Sequence, residues 1–102
     1  MSRMPTGRSL DEMVTMVRED AARQGGVSVD DVRVTNAIAV TWPDGSLGCP
    51  EPGMTYTQAL VPGYRILVRA GDRALQYHAS RTGHFVLCPA GRAVDPVVSG
   101  DT

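Results

Sequence analysis

The run Tyr64-Arg65-Ile66-Leu67-Val68-Arg69-Ala70-Gly71-Asp72-Arg73-Ala74-Leu75-Gln76-Tyr77-His78-Ala79 decides how this chain folds. Tyr64, Ile66, Val68 and Ala70 alternate with Arg65, Leu67 and Arg69, the two-residue period of a strand with one buried face. Ala70-Gly71-Asp72-Arg73 is a tight-turn signal, after which Leu75, Tyr77 and Ala79 line one face of a second strand. Arg81-Thr82-Gly83 marks another turn before His84-Phe85-Val86-Leu87-Cys88. Three strands joined by such short turns predict an antiparallel meander.

Upstream, Val32, Val34, Ile38, Val40 and Trp42 alternate with Arg33, Thr35 and Thr41, which predicts one more strand with those five apolar residues on a single face. Asn36 interrupts the apolar face and marks a bulge. Before it, Ser9-Leu10-Asp11-Glu12 is a capping box, and Leu10, Met13, Val14, Val17 and Ala21 recur at helical spacing until Gly25-Gly26, so a helix is expected over 9–24. Ser28 caps a short turn over 27–31. Met54 to Leu60 alternates well enough for a short edge strand. The expected class is α+β: one N-terminal helix packed on a four- to five-stranded antiparallel sheet, resembling a cystatin-like arrangement in architecture alone. A disordered leader over 1–8, a single domain over 9–89 and a flexible tail over 90–102 complete the expected organisation.

Composition narrows the classes of function. The chain has 102 residues, room for one domain and one modest core. Its ten basic residues, all arginine, stand against eleven carboxylates. That balance lacks the electrostatic footprint of a dedicated nucleic-acid binder. Arg65, Arg69, Arg73 and Arg81 would gather on one side of the meander near Tyr77, and they read as solvated strand-face residues. No apolar run reaches the roughly 20 residues that span a bilayer, so no membrane partner is expected. No apolar stretch followed by a small-residue cleavage site is present, so the expected location is cytoplasmic, or exported if the chain is a mature form.

The most unusual stretch is Trp42-Pro43-Asp44-Gly45-Ser46-Leu47-Gly48-Cys49-Pro50-Glu51-Pro52-Gly53-Met54. Prolines fix φ and glycines release it, which makes a loop shaped by its backbone. Asp44-Gly45 is a turn pair whose carboxylate can accept from an amide two residues on. Cys49 and Cys88 each precede a proline. Paired, they would close a loop of about 40 residues, worth about 4 kcal/mol by chain entropy; in a reducing compartment they would stay thiols. The plain structural reading makes Trp42 and Leu47 a plug and Cys49 a staple to Cys88. The run from Trp42 to Met54, with Tyr56-Thr57-Gln58, Pro62-Gly63-Tyr64-Arg65-Ile66 and Val86-Leu87-Cys88, resembles a family of small bacterial proteins and lipoprotein domains without known activity. That resemblance covers roughly residues 9–89 and implies paired cysteines.

As chemistry, Cys49 with His78 or His84 is a weak catalytic candidate, since a thiol nucleophile needs a base within reach. Ser46 lacks the strand–turn–helix setting of a nucleophile elbow. No zinc spacing or phosphate loop is present, so no metal and no cofactor are expected. A pocket between helix and sheet lined by Met13, Met16, Val17 and Trp42 is a further possibility, set against methionine as core filling. The favoured reading is a non-enzymatic binding module displaying loop 43–53 to a protein partner, with a peptidase-inhibitor-like variant. Its contact residues would be Trp42, Asp44, Ser46, Leu47, Cys49, Glu51, Met54 and Tyr56. The alternative is a small thiol-dependent enzyme or redox protein using Cys49. Edge strand 54–60 offers a route to a homodimer.

Overall fold

The computed structural model describes residues 7–97; residues 1–6 of the expected leader over 1–8 and residues 98–102 of the expected tail over 90–102 lie outside the described residues. Helix α1 (Leu10–Gly25) starts at Ser9, whose hydroxyl accepts from the Glu12 amide at 3.1 Å while the Glu12 carboxylate accepts from the Ser9 amide at 2.8 Å. Gly26, in the left-handed C-cap position, ends it. A single 3-10 turn (Val29–Asp31), capped by Ser28, feeds the sheet. Strands β1 (Val32–Trp42), β2 (Val61–Ala70), β3 (Arg73–Ser80) and β4 (Phe85–Leu87) follow in spatial order β1-β2-β3-β4, all antiparallel. The molecule is thus α+β, one helix across an open four-stranded meander.

The helix lies over β1 and β2 and reaches β3. Met13, Val17 and Ala21 meet Val32, Ile66, Val68, Tyr77 and Ala79 in one apolar core. The Tyr77 hydroxyl ends in that layer by donating to Asp20 Oδ2 at 2.6 Å. Burial first, then the Asp20 carboxylate, pushes the Tyr77 phenol well above its ordinary range.

Two expectations are corrected. The register slips between Val34 and Asn36, so Thr35 is an extra residue in β1. One inserted residue exchanges the faces of everything beyond it. Val32, Val34 and Ala37 therefore face the helix, whereas Ile38, Val40 and Trp42 turn to the outer face, and the five apolar residues do not share one side. Trp42 accordingly takes no part in a pocket with Met13, Met16 and Val17. Second, residues 54–60 form no strand. Their polar groups close a local loop instead: the Thr57 carbonyl accepts from Gly45 at 2.9 Å, and the Tyr56 hydroxyl accepts from the Glu51 amide at 3.1 Å. The sheet has four strands, and the homodimer route through 54–60 loses its strand.

Candidate functional site

The outer face of the sheet carries the unusual loop. From Trp42, at the end of β1, residues 43–49 run as a strap over β2 and β3 to the end of β4, where Cys49 is disulfide-bonded to Cys88 with Cα atoms 5.8 Å apart. Asp44 starts the strap as an Asx turn, its Oδ1 accepting from the Ser46 amide at 2.9 Å and from the Ser46 hydroxyl at 2.6 Å. Those two bonds hold the Asp44 carboxyl below the usual carboxylate range.

Beneath the strap, Trp42 and His78 stack with ring centroids 4.3 Å apart at 19°. Both are fully buried. The indole Nε1 donates to the Ala79 carbonyl at 2.9 Å. It crosses β2 over Gly63, where a Cβ would overlap that carbonyl, so only glycine allows the crossing. Leu47 and Gly48 both sit at positive φ, 59° and 70°. A Cβ at Gly48 would lie 2.5 Å from the Trp42 ring. Leu47 tolerates a conformation that disfavours side chains by roughly 1–2 kcal/mol. What that turn achieves is to aim the Leu47 carbonyl at His78 Nδ1, 2.6 Å away.

The partners fix the histidine's state. A carbonyl only accepts, so Nδ1 carries the proton and donates to Leu47; Nε2 then accepts from the Gln76 amide at 2.7 Å. Burial pushes the imidazole below its ordinary range, the Leu47 carbonyl partly opposing and the Arg65 cation adding to the effect. His78 is thus a neutral ring with both nitrogens occupied. His84 is exposed beside the β3–β4 turn. Cys49, bonded to Cys88, presents no thiolate in this state.

The remaining residues of the sequence reading fall into two groups. Ser46, Leu47 and Cys49 are buried with Trp42 as the strap's foundation, and Asp44 is half-buried. Glu51 and Met54 are exposed and Tyr56 is half-buried. Met54, at 59 % exposure, and Leu60, at 62 %, are the most exposed large apolar side chains among the described residues. Residues 90–97 run back along the strap: a 3-10 turn (Ala90–Arg92), Val94 N–H to the Gly48 carbonyl at 2.8 Å, and Val97 N–H to the Thr41 carbonyl at 2.8 Å. Arg92 approaches Cys49 Sγ at 3.7 Å.

The strap and this returning segment cover only the Trp42–His78 half of the outer face. Its other half is open, a groove of about 670 Å³ lined by Thr35, Leu67, Arg69, Gln76, Leu87 and Pro89 among others. Leu67 and Gln76 were not singled out by the sequence reading, although their two-residue spacing from Arg65 and His78 places them on this face. Tyr77, expected beside the arginines, faces the helix, having the opposite parity to Gln76 and His78 on β3. Arg73 shares that parity and donates to the Gln24 carbonyl at the helix end at 2.9 Å, so it does not gather with Arg65 and Arg69. Among the described residues no helix is long and apolar enough to cross a membrane.

Residues 14–88 match the family model DUF8738, described as a domain of unknown function. No curated protein and no solved structure matches the chain.

Proposed function

The chain belongs to that family, DUF8738, and from this premise we propose that it is a non-enzymatic binding module that offers residues 51–60 to a protein partner. One observation carries the reading: the exposed segment hangs from a strap held by the Asx turn, the His78–Leu47 bond and the disulfide. A segment whose ends are already fixed loses less conformational freedom when it docks. Met54 and Leu60, the most exposed large apolar side chains among the described residues, would be its apolar anchors. The Cys49–Cys88 bond supports the exported alternative over the cytoplasmic one, because such bonds persist in oxidising compartments.

The narrower form of this reading is peptidase inhibition, with the tethered segment lying along a substrate cleft. Incubation with a panel of serine and cysteine peptidases tests it. Lost peptidase activity with residues 51–60 intact supports inhibition. Full activity together with cleavage inside 51–60 overturns it. The broader reading is tested by comparing protein capture by the parent chain and by Met54→Asp/Leu60→Asp, two exposed changes that leave the core untouched. Equal capture by both would remove the segment from the interface.

A further inference from the structure

We propose that the open half of the outer face binds a small anionic amphiphile: one apolar chain or ring system with a carboxylate, phosphate or sulfate head. This site does not rest on the reading of residues 51–60.

Three observations lead there. The first is shape. The groove, about 670 Å³, lies within the ~300–1,000 Å³ of small-molecule sites. Residues 87–90 border it: the Cys88 N–H still holds to the Gln76 carbonyl of β3 at 2.8 Å, and from Pro89 the chain leaves the sheet into the 3-10 turn at 90–92. Cys88, tied to the strap by the disulfide, lines it as well.

The second is lining chemistry. Leu67, Ala74, Pro89 and Ala90 give an apolar surface, with Gln76 and Thr35 as the polar groups beside it; the Leu87 side chain, opposite Tyr77 in register, packs on the helix side. Among the described residues no carboxylate lines the groove.

The third is charge. None of the four strands contains an aspartate or glutamate, while on the outer face they carry Arg33, Arg65 and Arg69. Arg33 and Arg69 stand directly opposite one another in register, an arrangement that is unfavourable between like charges. Among the described residues the one arginine–carboxylate contact within 4 Å is Arg23–Asp20, on the helix, so neither cation of this pair is neutralised. Arg69 touches only the Asp72 carbonyl, at 3.4 Å, which leaves most of its fork of donors available. An oxyanion head between the two guanidinium groups relieves their repulsion with charge-assisted bonds, while its apolar tail lies over Leu67 toward Pro89. The volume fits a single ligand molecule rather than a membrane surface.

The test titrates the full disulfide-bonded chain with dodecanoate below its micelle concentration, by calorimetry and by amide chemical shifts. Dodecanol, with the same chain and no charge, is the control. One dodecanoate per chain is expected, with dodecanol weaker by about tenfold or more, as expected when a charge-assisted contact is lost. Shifts should concentrate on Leu67, Gln76 and Leu87. Arg33→Gln/Arg69→Gln, at two exposed positions, should weaken dodecanoate about tenfold and leave dodecanol unchanged. Ala90→Trp, which fills the groove without altering charge, should weaken both. Equal binding of the two ligands, indifference to the arginine changes, or shifts confined to 51–60 or to the helix would each overturn the proposal. So would sedimentation with phosphatidylglycerol vesicles in a chain that ignores monomeric dodecanoate. Met54→Asp/Leu60→Asp should not alter dodecanoate binding, so failure of the loop reading and failure of this one are distinguishable.

Discussion

The two faces of the sheet are closed by different physics. On the helix face, apolar side chains at helical spacing meet apolar side chains at strand spacing, and Met13, Val17, Ile66 and Tyr77 are buried completely. On the outer face a loop with no regular structure does the covering. It relies on one aromatic stack, a handful of directed hydrogen bonds and a disulfide. Hydrophobic burial is non-directional and tolerates small shifts, whereas each of those directed contacts requires its partner in one place. The strapped face should therefore fail abruptly when a single group is removed, and the helix face gradually.

Removing Trp42 is the severest test. Trp42→Ala deletes the stacking surface and leaves a void under the strap, with an expected loss of about 3–5 kcal/mol in denaturant unfolding. Trp42→Phe keeps a ring over His78 but gives up the bond to the Ala79 carbonyl, for about 1–3 kcal/mol. Met13→Ala on the helix face should lie at about 2–5 kcal/mol. The sharper distinction is spatial. Amide exchange in Trp42→Ala should rise first at Leu47 and Cys49, and in Met13→Ala along the helix. If both variants loosen the same amides, the faces are one cooperative unit and the contrast fails.

Next comes the covalent tie. Cys49→Ala/Cys88→Ala should lower stability by about 2–4 kcal/mol, most of the chain-entropy value for a separation of 39 residues. Val94 and Val97, bonded to Gly48 and Thr41, should lose exchange protection with it, because the strap is the surface they lie on. A midpoint unchanged by reduction would mean that the Trp42–His78 stack alone fixes the strap.

His78 gives the strapped face a pH dependence below neutrality, whereas on the helix face the raised Tyr77 phenol makes itself felt only in alkali. Its folded form holds the neutral ring, while in the unfolded chain the imidazole titrates near pH ~6.5. Below that pH the unfolded state binds a proton that the folded state refuses, so stability is complete above ~6.5 and declines as the pH falls. The slope cannot exceed about 1.4 kcal/mol per pH unit for this one group. Thermal midpoints between about pH 7 and pH 5 read it directly. His78→Gln should flatten the profile, and an equally steep profile in that variant would assign the effect elsewhere.

Much of the helix face was legible because its signals are periodic and local. Leu10, Met13, Val17 and Ala21 announce their helix, the Ser9–Glu12 box announces its start, and Tyr64 to Ala79 announce a meander. The outer face was not, for two physical reasons. One extra residue at Thr35 inverts the side on which Ile38, Val40 and Trp42 lie, and alternation in sequence does not reveal where an inversion falls. The partners of His78 are a backbone carbonyl 31 residues away and a glutamine two residues away, and a carbonyl has no residue type to read. The loop was recognisable as unusual from its prolines and glycines. That Ser46, Leu47 and Cys49 would be its foundation, with Met54 and Leu60 outside, depended on tertiary contacts. The open groove had a visible trace all the same, since the absence of aspartate and glutamate from every strand is a property of the sequence.

The smallest effects compare two caps of the same chemistry, one on each face. Ser9 accepts from a backbone amide three residues on, and Asp44 accepts from one two residues on. Ser9→Ala should remove about 1 kcal/mol, because the capping box satisfies donors that a helix of sixteen residues cannot satisfy itself. Asp44→Ala should remove less, since its turn is wetter and the Gly45–Thr57 bond holds the same corner. The two should separate in acid. With its folded pKa depressed, Asp44 stabilises the native state above its unfolded value near ~3.9 and stops doing so as the pH falls through the folded value. The gap between parent and Asp44→Ala should therefore narrow toward pH ~3, whereas Ser9, which does not titrate there, keeps the serine part of its contribution. An Asp44 gap that stays constant into acid would show that the corner is held by the Gly45–Thr57 bond and the disulfide, with the carboxylate a bystander.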